Sequence, residues 1–218
     1  MDFFSSVPFQ QYAGLLPTAL LITAEMTIGG TIVASLGGLL LALGSRTRWR
    51  AVVAVCRGLT YFVRSVPQPP ALLLVYFTLQ ALIGTTAPEY ASMIALGLIL
   101  APWMGELFRA GIQAVPVGLV EAGRMLGLSE RDVQLRVILP LAIRIMFPAF
   151  GQLVIGLMLS TSIASQIGAK DVTGAARPII DGYFSTELWF VVAAVYFLIA
   201  FPVSRLLNTL ERRTAVVL

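Results

Sequence analysis

Residues 121–140 read EAGRMLGLSERDVQLRVILP, a charged stretch between two long apolar runs. The whole chain has 218 residues, of which 58% are hydrophobic and only 12% are charged. Soluble domains carry charge on about a quarter of their residues, so this composition indicates an integral membrane protein. The charged side chains of the stretch are Glu121, Arg124, Glu130, Arg131, Asp132 and Arg136.

Apolar runs on both sides of this stretch predict an all-α protein with about five transmembrane helices. A span needs about 20 mostly apolar residues, and the predicted spans cover roughly 14–44, 70–83, 90–114, 140–167 and 188–207. Before the second span, the prolines of RSVPQPP predict that a helix ends near Val66 and restarts after Pro70. The start of the chain lacks a positive region, so a signal peptide is not expected.

Basic residues indicate the orientation of these spans. They concentrate in the first connection, in the charged stretch and in the C-terminal tail, whereas the other connections carry no basic excess. The positive-inside rule therefore predicts an outside N-terminus and a cytoplasmic C-terminus. The basic residues assigned to the cytoplasmic side are Arg46, Arg48, Arg50, Arg57, Arg109, Arg124, Arg131, Arg136, Arg144, Arg205, Arg212 and Arg213.

Residue types that the chain lacks exclude several kinds of site. It has no histidine, which excludes His-dependent zinc sites and His-based catalytic triads, and its single cysteine excludes an internal disulfide. The only lysine, Lys170, is followed by Asp171, so a phosphate-binding G-x-x-x-x-G-K-[ST] loop is absent. We therefore expect no catalytic residues and no metal or cofactor in this chain, and the scattered basic clusters do not favour nucleic acid.

The chain is interpreted as one transmembrane domain, 1–218, that contains a structured cytoplasmic loop, 115–140. Val120, Ala122, Met125 and Leu126 have the spacing of one helix face, and Gly127 can end that helix in a left-handed conformation. Ser129 followed by Asp132 can cap a second helix. Pro140 then starts the next span.

Small residues recur at every fourth position of the first span, at Gly30, Ala34, Gly38 and Ala42. They form a stripe along which another helix can approach closely. We favour packing within the chain over a subunit interface, although both would produce the same pattern.

Polar residues inside the spans are candidates for a substrate path, because such groups are costly in lipid and often functional. A structural partner for another buried polar group is the alternative for Glu25. Glu106 and Arg109, three residues apart, predict an ion pair on one helix face. Arg64 could pair with an acid, bind lipid phosphate or fix a subunit interface. The substrate-path candidates are Glu25, Gln80, Gln152, Ser160, Thr161 and Ser162.

The loop resembles the EAA loop of bacterial ABC importer permeases, whose pattern is E-A-A, three residues, G, nine residues, I-x-L-P. The matching residues are Glu121, Ala122, Gly127, Leu139 and Pro140, while Gly123 and Val137 replace the usual Ala and Ile.

More narrowly, the chain is similar to the permeases of the histidine, arginine and glutamine importer group, over about residues 14–213. The similar segments are ITAEMTIGG, RSVP, GELFRAGIQAVPVG, STSIAS and LERR. Gln152 and Leu159 depart from this group, which often has Asn and Lys there.

The resemblance implies a type I ABC importer permease fold in the bacterial inner membrane. It implies a second permease chain, ABC ATPase subunits that bind ATP and Mg²⁺, and a periplasmic or lipid-anchored substrate-binding protein. Glu121, Ala122, Gly123, Gly127, Leu139 and Pro140 would then couple the loop to the ATPase, with Ala122 and Gly123 allowing close approach. The expected function is import of a polar amino acid or related small solute. A secondary transporter or channel independent of ATP is the alternative.

Overall fold

The structure, a computed structural model, describes residues 6–84 and 86–214, without the side chains of residues 208 and 210–214. These residues form helices and connecting turns, and no strand occurs among them. The helices are α1 Val7–Gly44, α2 Arg50–Ser65, α3 Gln68–Ile83, α4 Pro88–Gln113, α5 Val117–Met125, α6 Glu130–Asp132, α7 Leu139–Ser160, α8 Val172–Tyr183 and α9 Leu188–Thr214. The predicted all-α fold is confirmed. Asp2, part of the topology argument, lies outside the described residues.

The small-residue stripe of α1 packs against α4 within the chain, as the sequence predicted. A Cβ atom placed on Gly38 would lie 2.7 Å from the backbone nitrogen of Gly105, and one on Gly105 would lie 2.8 Å from the carbonyl oxygen of Gly38. Ala34, on the same stripe, is fully buried. Only hydrogen in place of a side chain allows two helix backbones to approach this closely. We call this contact the α1–α4 seam.

Helix α2 and helix α3 form one strongly bent pair. Four helical runs of the described chain are long and apolar enough to span a membrane, and the pair α2–α3, bent by 117°, makes five if it counts as one span. Helix α3 begins at Gln68, two residues before the end of the proline cluster rather than after Pro70. Pro69 and Pro70 fit the first turn because their missing N–H groups would have no intrahelical acceptor there.

The prediction that Pro140 starts the next span agrees with the start of α7 at Leu139, but α7 is not a separate helix, because helical structure continues from Glu130 to Ile167. Within this run, Val133–Ile138 is π-helical and Thr161–Ile167 is a 3₁₀ helix. A proline clashes with the carbonyl four residues before it, here that of Arg136. The wider π turn accommodates this clash, so the loop and the span are joined without a break.

Asp171 anchors the outer ends of α1, α8 and α9 in a buried polar cluster. Its Oδ1 caps α8 by accepting from the Gly174 N–H at 2.8 Å, and its Oδ2 accepts from the Tyr196 hydroxyl at 2.6 Å. Burial raises the pKa of the Asp171 carboxyl above its ordinary value, although these hydrogen bonds oppose the shift. Tyr12 of α1 donates to the Val172 carbonyl at 3.1 Å and so joins the same cluster.

Candidate functional site

The predicted cytoplasmic loop, residues 115–140, folds as a helix, a tight turn and a second helix. Helix α5 ends in a Schellman-type turn, where the Leu128 N–H donates to the Gly123 carbonyl at 3.2 Å. Gly127 has φ +79°, a left-handed conformation that an L side chain would strain. The Ser129 hydroxyl accepts from the Asp132 N–H at 3.2 Å and caps α6. The glycine turn and the serine cap agree with the sequence predictions.

One ion pair joins the two helices of the loop, and a second stiffens the second helix. The Arg124 guanidinium donates to both carboxylate oxygens of Glu130, at 2.7 and 3.0 Å. This hydrogen bonding raises the pKa of Arg124 above its already high ordinary value. Arg136 pairs with Asp132 one turn away at 3.0 Å. Four of the six charges in residues 121–140 therefore stiffen the loop itself, and Glu121 and Arg131 remain exposed.

Gly123 lies inside the loop rather than on its outer surface. A Cβ there would meet Val133 at 3.5 Å, Leu128 at 3.6 Å and Val137 at 3.6 Å, which are ordinary contacts. Gly123 is thus buried against the second helix, so its predicted role in close approach to a partner is not supported by this geometry. Ala122, Leu139 and Pro140 are exposed.

The tip of the loop is apolar and fully open. Met125 and Leu126, at the end of α5, expose 90% and 83% of their surface, and Val117 at its start exposes 69%. Two adjacent large apolar side chains at such exposure are unusual on a surface outside lipid. We call Met125 and Leu126 the loop tip.

A half-open cavity of about 320 Å³ lies between α3, α4 and α7. Of the predicted path residues, Gln152 and Ser160 line it, together with Gln68 and Trp103, which the sequence reasoning had not selected. The Ser160 hydroxyl donates to Gln68 Oε1 at 3.1 Å. The polar lining of this cavity consists of amide, hydroxyl and indole groups, and no charged side chain lines it.

The other four predicted path residues lie elsewhere. Glu25 is exposed on α1, and Gln80 closes the α3–α4 turn by accepting from the Thr86 N–H at 3.2 Å. Thr161 is buried beside the Tyr196 hydroxyl at 3.5 Å. Ser162 lines a separate groove with Trp189. The structure therefore does not bring the six candidates together into one path.

The predicted ion pair between Glu106 and Arg109 is wrong. Glu106 Oε2 instead lies 3.0 Å from Nη2 of Arg64, and the Arg64 guanidinium also stacks 5.0 Å from the Trp103 ring centroid. The bend between α2 and α3 places Arg64 beside α4, a neighbour that sequence spacing could not indicate. Arg64 thus fastens the end of α2 to the wall of the cavity.

Two features of the site were not predicted from sequence. Gln68 and Trp103 line the same cavity because of the bend between α2 and α3. No sequence pattern predicts the angle of that bend. The helix-capping role of Asp171, outside the cavity, was also not predicted, although an acid directly before an apolar helical stretch is a helix-cap signal. Among the described residues, no group of three or more His, Cys, Asp or Glu side chains could hold a metal ion.

Comparison with known proteins gives consistent matches. Residues 34–216 match the family described as the binding-protein-dependent transport system inner membrane component. The nopaline transport system permease protein of Agrobacterium fabrum is 32% identical over 214 residues, which cover 93% of this chain and 87% of that protein. A probable amino-acid permease protein of Bacillus subtilis is 35% identical over 204 residues, covering 89% of this chain and 88% of that protein. A crystal structure of an amino acid ABC transporter with histidines superposes with a TM-score of 0.86 at 31% identity, covering 98% of this chain and 99% of that one.

Proposed function

Because the chain belongs to the family of binding-protein-dependent transport system inner membrane components, we propose that it imports a polar amino acid or a related small solute. It acts as one half of a channel in the bacterial inner membrane. ATP and Mg²⁺ are bound by separate ATPase subunits, and a substrate-binding protein delivers the solute from outside. The amino acid class rests on the functions of the relatives and on the neutral polar cavity.

One observation carries the mechanism: a single helical run joins the loop to the cavity. The run from Glu130 to Ile167 begins at the loop and passes Gln152 and Ser160 on its way outward. At 1.5 Å per residue, Glu130 and Gln152 are about 33 Å apart along the axis. A rigid run of this length transmits a displacement of its inner end to the cavity wall.

The loop tip supports docking of an ATPase subunit. Met125 and Leu126 are held outward by the Arg124–Glu130 pair and by the Gly127 turn, so the apolar surface is prepared before any partner binds. Preorganisation lowers the entropy cost of binding. Glu121, one turn before the tip and also exposed, would contribute charge complementarity at the edge of the contact.

The cavity supports a substrate path with neutral hydrogen-bonding groups. Gln68, Gln152 and Ser160 can bind the ammonium and carboxylate groups of an amino acid without adding a net charge. The sequence has Leu159 where the related group often has Lys. This chain would therefore shape the path, and a second permease chain would supply any charged contact. Glu25, Gln80, Thr161 and Ser162 do not line this cavity and are not proposed as ligands.

The proposal is tested by reconstituting the chain in lipid with its ATPase, second permease and binding protein. ATP hydrolysis is measured against a panel of amino acids. Stimulation by one chemical class of ligand is the expected result and identifies the substrate. Failure of the chain to assemble with an ATPase would contradict the proposal and favour a secondary transporter.

A second measurement separates the cavity from the loop. Gln152→Leu should raise the substrate concentration for half-maximal uptake while ATPase assembly stays normal. Gln166→Leu is the matched control, because Gln166 lies on the same helical run but lines another groove. Equal uptake curves for the two variants would exclude Gln152 from the path.

A further inference from the structure

We infer that the chain holds an anionic phospholipid from the cytoplasmic leaflet between the inner ends of α1, α2 and α4. The inference needs only the membrane placement of the chain, and it is independent of the substrate proposed above. It rests on two adjoining cavities, one basic and one apolar.

The basic cavity measures about 450 Å³, within the usual size of ligand pockets, about 300–1,000 Å³. Arg46, Arg57 and Arg109 line it from three different helices or their ends, beside the hydroxyl groups of Thr60 and Tyr61. The one acid on its wall, Glu106, is already paired with Arg64 at 3.0 Å. Within the described part of the chain, none of the three lining arginines has an acidic partner within 4.0 Å. The cavity therefore presents unneutralised positive charge.

The apolar cavity adjoins the basic one and measures about 500 Å³. Leu41, Cys56 and Pro102 line both cavities, so the two lie side by side. From this shared border the apolar cavity extends along Leu59 of α2 to Leu74 of α3, and none of its lining residues is charged or polar. A positive cavity directly beside an apolar cavity matches the chemistry of a phospholipid, whose phosphate and acyl chain are covalently joined.

Helix α2 has the character of an interfacial helix. It contains no buried residue, and Arg50, Arg57 and Arg64 recur every seven positions, which places them near one face. Leu59, Phe62 and Val63 line the apolar cavity. A helix with a basic face and an apolar face lies in the plane of the membrane surface.

Charge complementarity selects the anionic lipid over other occupants. Basic pockets between transmembrane helices on the cytoplasmic side bind anionic head groups, because the inner leaflet carries negative lipids. Free phosphate would satisfy the basic cavity but leave the apolar one empty. The lipid therefore fills both cavities and fixes α2 against α1 and α4.

The test is native mass spectrometry of the complete transport complex, extracted in mild detergent from bilayers of phosphatidylethanolamine and phosphatidylglycerol. The wild-type complex should retain phosphatidylglycerol. Arg46→Gln with Arg57→Gln should lower the retained fraction by about fivefold or more, since two attractive charges are lost. The matched control is Arg48→Gln with Arg144→Gln, because these exposed arginines do not line the cavity and lie outside α2. Equal retention by the two double variants would overturn the inference.

A second variant tests the apolar half without changing any charge. Leu59→Trp fills part of the apolar cavity and should also lower phosphatidylglycerol retention, so the inference remains testable if the arginine variant does not fold. Inorganic phosphate added to the wild-type complex should not displace the lipid. Displacement by phosphate, or a wild-type complex that retains no phosphatidylglycerol because another subunit covers the site, would overturn it.

Discussion

The α1–α4 seam and the cytoplasmic loop differ in where their partners are. In the seam, Gly38 and Gly105 bring two backbones together, and Ala34 is completely buried within the same chain. The loop is equally well fixed by its own ion pairs, yet Met125 and Leu126 remain almost fully exposed. The residues of the seam are buried by contacts within the chain. The apolar surface of the loop tip is also held in a fixed position, but no other part of the chain covers it.

This difference separates folding from function. A change in the seam should prevent folding, because the close packing of α1 against α4 depends on the small residues there. A change on the loop surface should leave the fold intact and affect only what the loop contacts. The following predictions, from the largest effect to the smallest, test this separation.

Gly38→Val should prevent accumulation of folded protein. The new side chain would begin 2.7 Å from the backbone nitrogen of Gly105, a contact that backbone cannot relieve by rotation. Overpacking of a core costs about 1–3 kcal/mol and more where backbone must move. Yield and thermal stability after size-exclusion chromatography give the measurement. Gly14→Val on the same helix is the control, since nothing lies within 4 Å of its Cβ position; similar losses for both variants would contradict the seam.

Glu121→Lys should abolish uptake while the protein stays folded in the membrane. Glu121 is exposed and lies one turn from the loop tip, so reversing its charge would disturb a partner rather than the loop. Uptake and copurification of the ATPase subunit are compared with those of the variant Glu187→Lys. Glu187 is an exposed glutamate near the start of α9, on the opposite side of the membrane from the loop. Normal uptake by Glu121→Lys would remove Glu121 from the docking surface.

Asp171→Ala should lower the free energy of unfolding by about 2 kcal/mol. The change removes the cap of α8, worth about 1 kcal/mol, and leaves the buried Tyr196 hydroxyl without its carboxyl acceptor, which costs a similar amount. Thermal melting in detergent measures the loss. Asp181→Ala, an exposed acid on the same helix, should change little. If both variants melt alike, the buried cluster does not anchor α8.

Gly123→Ala should slightly stabilise the loop, by about 0.5–1 kcal/mol, because alanine favours helix and its Cβ fits at 3.5 Å or more from its neighbours. Gly127→Ala should have the opposite sign, since φ +79° is costly for alanine. Hydrogen exchange of the loop amides reports both effects. Faster exchange in Gly123→Ala would show that Gly123 is required for another reason.

The fold and the turns of the loop could be predicted from the sequence more accurately than the residues that line the cavity. The loop depends on local rules, such as a glycine that accepts positive φ and a serine that caps a helix, and these were read from adjacent residues. The cavity depends on which helices meet and at what angle. That is why Gln68 and Trp103 were missed and why Glu106 was paired with Arg109 instead of Arg64.

The sequence by itself determined the membrane class, the approximate number and order of the membrane spans, the small-residue seam and the turn chemistry of the loop. Hydrophobicity, periodicity and local backbone preference depend on residues that are close in sequence, so they can be recognised from the sequence alone. Only the tertiary structure decided that the α2–α3 pair is bent by 117°, that Arg64 reaches Glu106, and that a basic cavity lies beside an apolar one. These features arise from contacts between residues far apart in sequence, whose geometry no local pattern encodes.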